Sequence, residues 1–119
     1  MKGRCTGLIL GVALTLPLPA VAADTRTFHN VSREVYECTK DVGEARHATI
    51  YEPRDADYGT ATTSSFFWKL VVYYRFDPAT GDLYHEILQR SWIIPLDSVW
   101  AGIGDQIEEC AERIAASPG

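Results

Sequence analysis

Residues 70–88 read LVVYYRFDPATGDLYHEIL, and this stretch decides the fold. Aromatic and β-branched residues run into Asp77-Pro78-Ala79-Thr80-Gly81 and then out into more of the same. From Phe66 to Phe76 the alternation is of period two. Phe66, Trp68, Leu70, Val72, Tyr74 and Phe76 fall on one face, and Phe67, Lys69, Val71, Tyr73 and Arg75 on the other. Successive strand residues point to opposite faces, so this pattern predicts a strand with one fully buried side. Asp77 opens a turn, Pro78 presets φ at its first central position, and Gly81 supplies the left-handed residue that lets the chain reverse. A four-residue loop, Pro78 to Gly81, sets Asp77 against Asp82. His85 then faces Tyr74 on the apolar side, and Glu86 faces Tyr73 on the other with Arg75 diagonal to it. Further along, Val71 meets Leu88, Lys69 meets Arg90 and Phe67 meets Trp92. The return strand is expected from Leu83 to about Ile94, closed by Pro95.

Helical spacing flanks this hairpin. Val31, Val35, Cys38 and Val42 form one stripe, with Asn30 or Ser32 as N-cap and Gly43 as the left-handed stop. Leu96, Val99, Trp100, Ile103, Ile107, Cys110, Ala111 and Ile114 form a second stripe, capped by Asp97 or Ser98. Gly102 and Gly104 weaken its middle, and Asp105 with Glu108 resembles a fresh capping pair, a pattern compatible with a break near Gly104. Between hairpin and first helix, residues 45–53 read as a short strand ended by Pro53. Residues 54–65, RDADYGTATTSS, read as a surface loop. The expected fold is therefore a small single α+β domain. It has a three-stranded antiparallel sheet with two helices packed on one face, in the order αβββα, and one disulfide.

The N-terminus carries Lys2 and Arg4, an apolar run from Leu8 to Leu16, and Ala20-Val21-Ala22-Ala23. That is the order of a secretory signal peptide, cleaved after Ala22 or Ala23. It divides the chain into a leader, 1–23, and one exported domain, 24–119, placed in the periplasm or secreted. The apolar run is too short to span a bilayer, so no stable membrane insertion is expected after cleavage. Removing Lys2 and Arg4 leaves nine basic against sixteen acidic residues, a net charge of −7. Such a charge repels nucleic acid and excludes it as a main partner. Cys5 departs with the leader, and Cys38 and Cys110 remain as a pair. In an oxidising compartment they read as one structural disulfide worth roughly 4 kcal/mol.

The register separates the polar cluster of the opening stretch. His85 points inward beside Tyr74, as a core histidine satisfied by one hydrogen bond, and Glu86 points outward. The two cannot act as one acid–base pair. His29 and His47 have no ligand partners at metal spacing, and no cofactor motif is present, so neither metal nor cofactor is expected. The outer face keeps Phe67, Tyr73, Arg75, Tyr84, Glu86 and Trp92, a composition suited to holding a protein. The expected function is that of a small exported protein that binds another envelope or secreted protein, in an inhibitor, immunity or assembly-accessory role. One alternative is a small secreted hydrolase of ribonuclease-like character, with Glu86 as base and Arg75 and Arg90 as anion clamps. Another is a structural subunit of an envelope assembly that self-associates through the same face.

Overall fold

The hairpin forms around the turn that its sequence specifies. Strands β4 (Lys69–Asp77) and β5 (Asp82–Arg90) pair antiparallel, with Asp77 opposite Asp82, Arg75 opposite Tyr84, Tyr74 opposite His85 and Tyr73 opposite Glu86. Asp77 organises the turn. Its side chain accepts from the Ala79 amide at 3.0 Å and its carbonyl from the Gly81 amide at 2.8 Å. Gly81 takes a φ of 78°, which a side chain would resist. This computed structural model describes residues 24–117, so the expected leader and its cleavage site lie outside the described residues.

Beyond Val72 the register departs from expectation. Val72 pairs with Ile87, yet Val71 pairs with Gln89 and Leu70 with Arg90. Leu88 is therefore the extra residue of a β-bulge. The expected pairs Val71–Leu88, Lys69–Arg90 and Phe67–Trp92 do not form. Both strands also stop early, because tight turns replace their outer ends. The Ser65 amide donates to the Trp68 carbonyl at 2.9 Å, closing a turn with Phe66 and Phe67 at its centre. The Ile94 amide donates to the Ser91 carbonyl at 3.0 Å, closing another around Trp92 and Ile93. Phe66, expected on the buried face, is 97% exposed.

The sheet has five strands rather than three, in the order β1-β5-β4-β3-β2, all antiparallel. Strand β3 (Tyr58–Ser64) occupies most of the expected 54–65 loop. Its threonines suit a pleated surface whatever their polarity. Thr60 pairs with Tyr73 and Thr62 with Val71, while Ala61 and Thr63 turn inward with Val72 and Leu70. Strand β2 is only Ile50–Glu52, and β1 (Thr25–Phe28) adds to the far edge of β5. The element order is therefore βαββββα.

Helix α1 (Arg33–His47) begins where expected, with the Ser32 hydroxyl accepting from the Val35 amide at 3.1 Å. It does not stop at Gly43. The left-handed residue is Ala48 (φ 54°), and the Thr49 amide returns to the Gly43 carbonyl. Residues 45–47, expected as strand, complete the helix. Gly43 serves packing instead, since a β-carbon there would run into the Tyr51 hydroxyl and ring. Gly43→Ala gains up to about 1 kcal/mol of helix propensity but loses roughly 1–3 kcal/mol to overpacking. The expected result is a lower melting temperature, measured by circular dichroism; a rise would show that Tyr51 yields freely.

Helix α2 (Leu96–Ala116) runs through both glycines without a break and starts at Pro95 rather than at Asp97 or Ser98. Gly104 faces Phe28 of β1, so its small size serves the fit of helix on strand. Both helices lie on one sheet face and bury Val31, Val35, Tyr36, Val42, Tyr74, Phe76 and Leu83. Tyr36 stacks on Phe76 with ring centres 4.5 Å apart. The Cys38–Cys110 disulfide joins the helices inside this core, with Cys110 fully buried.

Candidate functional site

One face of the sheet takes both helices, and no described element covers the other. Across that open face the ladder sets Thr27, Tyr84, Arg75 and Tyr58 in one row, and Thr25, Glu86, Tyr73 and Thr60 in the next. The side chains interlock. The Arg75 guanidinium lies 5.0 Å from the centre of the Tyr84 ring, and Tyr73 meets Tyr84 edge-on at 6.3 Å. The Tyr84 hydroxyl donates to Glu86 Oε1 at 3.2 Å, and desolvation with this carboxylate raises the phenol above its ordinary pKa. Rings held this way lose little entropy when a partner packs on them.

Phe67 and Trp92 are not a cross-strand pair, yet the fold brings their turns together. The Lys69 amide donates to the Ser91 hydroxyl at 2.8 Å, and the Ser91 amide donates to the Lys69 carbonyl at 3.1 Å. The tied turns hold out Phe66, Phe67 and Trp92 at 97%, 83% and 90% exposure. Phe66 and Ile93 were absent from the sequence-based selection, because the alternation assigned Phe66 to the core.

Arg90 stands apart from Glu86 and Arg75. Its guanidinium donates to the Ile94 carbonyl at 2.6 Å and braces the second turn. His29 sits 2.7 Å from Asp82 at the surface. Among the described residues, no three of His, Cys, Asp and Glu gather as metal ligands would, and no helix is long and apolar enough to cross a membrane.

The inner face holds a second feature. A cavity of about 280 Å³ lies between the sheet and α2, lined by Leu70, Val72, Val99 and Ile103 among others. His85 borders it. Burial pushes the imidazole pKa down to about 4, which keeps the ring neutral, and Phe28 meets it edge-on at 5.5 Å. Contrary to the expected satisfied core histidine, Nδ1 has no hydrogen-bond partner. The inward residues Thr49, Ala61 and Thr63 are the sequence signal for this space, small side chains where a filled core needs large ones.

Together these features define a disulfide-linked α+β domain with two helices behind an open five-stranded sheet. Comparison with known protein families, characterised proteins and solved structures finds no match to this chain.

Proposed function

We propose that this is an exported binding protein whose open sheet face and aromatic turns take up another envelope or secreted protein. The observation that carries the reading is the exposure of Phe66, Phe67 and Trp92 beside the open face of Tyr73, Arg75, Tyr84 and Glu86. Aromatic and arginine side chains dominate binding energy at protein interfaces, and a bare cluster of this kind is a liability unless something covers it. Export rests on the leader-like N-terminus, and the disulfide suits an oxidising compartment. A net charge of −7 on 24–119 favours a partner with a basic rim. A hydrolase has less support, since Arg90 is committed to Ile94 and Glu86 to Tyr84.

The test is capture from the native compartment by mature wild-type protein beside Trp92→Ala and Tyr84→Ala. Each substitution is expected to weaken retention of the captured partner about thirtyfold, the loss of a hot spot near 2 kcal/mol, with far-UV circular dichroism unchanged. Equal retention by all three proteins would overturn the reading. A concentration-dependent dimer abolished by the same substitutions would instead assign the face to a second copy of this chain.

A further inference from the structure

We propose that the cavity behind the sheet is a binding site for a small, uncharged, mainly apolar molecule that carries one carbonyl or hydroxyl group. This site is separate from the protein-binding face, since it opens on the helix side.

Two buried polar atoms without a hydrogen-bond partner belong to residues that line this one cavity: His85 Nδ1 and Gln106 Nε2. Native interiors leave few such atoms, because each forfeits the hydration it had in the unfolded chain. His85 is 8% exposed, so solvent at the surface does not serve it. The rest of the wall is mostly hydrocarbon from Leu70, Val72, Val99 and Ile103. An apolar chamber with a few polar atoms in its wall is the usual composition of a small-molecule site.

The polar atoms also select the ligand. The Gln106 amide nitrogen donates only, so a carbonyl or hydroxyl oxygen answers it. His85 offers a neutral ring, which accepts or donates according to its tautomer. The ammonium of Lys40, also in the wall, is already held by the Arg54 and Ala56 carbonyls. A carboxylate would therefore enter desolvated without a free cation to meet it, which disfavours charged ligands. The exposed lining residues His47, Ser98 and Gly102 mark where the cavity reaches solvent, and a β-carbon added at Gly102 would meet nothing within 4 Å. The helix thus keeps an open position beside the chamber.

The mature, disulfide-bonded protein would be titrated with 2-decanone and, separately, with sodium decanoate, which has the same chain length. The readout is the NMR shift of the Gln106 side-chain amide and of the His85 ring nitrogens. Saturable shifts with 2-decanone are expected, with decanoate binding at least about tenfold more weakly, and Ile103→Trp should abolish both by filling the chamber. Should that variant not fold, Gln106→Leu decides, and is expected to weaken 2-decanone about tenfold, the worth of one buried hydrogen bond. No saturable shift up to the ketone's solubility, as for a chamber that holds water alone, would overturn the proposal. So would decanoate binding as well as the ketone, or a folded Ile103→Trp or Gln106→Leu variant that binds unchanged.

Discussion

Replacing Cys38 and Cys110 together by Ala is expected to cost the domain about 4 kcal/mol of stability. The bond spans a sequence separation of 72 residues, so cutting it returns a long loop's entropy to the unfolded chain. It is also the only covalent tie between α1 and α2 among the described residues. A domain of this size has roughly 5–15 kcal/mol in total, so the variant should be marginal at 37 °C. Ala is the right substitution, because Ser at the fully buried Cys110 would add an unpartnered hydroxyl and confuse two losses. Urea unfolding of oxidised, reduced and double-Ala protein measures the effect. Midpoints that agree within the equivalent of about 1 kcal/mol would mean that helix packing alone holds the two helices together.

The second large effect is acid sensitivity centred on His85. Its pKa falls from 6.5 to about 4 on folding because the buried ring cannot hydrate a charge. The unfolded chain thus binds a proton that the native chain refuses. Stability is complete above the unfolded pKa of 6.5 and drains away as pH falls toward 4, by roughly 3 kcal/mol over that window. Carboxylates contribute lower down. Arg33 holds the Asp57 pKa, and Arg46 the Glu109 pKa, below the ordinary carboxylate range, and both pairs sit at the surface, where ion pairs contribute little. Urea midpoints at pH 7, 6, 5 and 4 should therefore fall in wild type and stay nearly level in His85→Leu down to pH 5. Parallel decline in both proteins would place the titrating group elsewhere.

Legibility in the sequence followed how local the cause was. The Asp77–Gly81 turn specifies itself, and the register next to it could be counted correctly from Asp82 to Ile87. The bulge at Leu88 could not, because one extra residue leaves no mark in composition. Strand β3 was hidden by polar threonines, which are strand formers that look like loop residues when hydropathy is the guide. Strand β1 was hidden by its four-residue length, too short for any periodicity. Gly43 shows the same limit from the other side: its small size answers to Tyr51, and nothing near it in sequence says so. Tyr73, Arg75, Tyr84 and Glu86 were legible as one face because alternation alone places them. The cavity was not, since a void is set by how distant elements fail to meet.

The strand order carries a consequence for the sequence of events as the chain emerges. Strands β2 to β5 are successive hairpins, each able to close on the neighbour just made. Strand β1 is different, for its ladder partner is β5, the last strand among the described residues. Cys38 likewise waits for Cys110, in the final helix. A chain delivered N-terminus first therefore holds β1 idle until β5 has emerged, and Cys38 idle until Cys110 follows. These described elements are completed from the later-made backward, and a chain cut before β5 should strand β1 and α1 as surely as what it lacks.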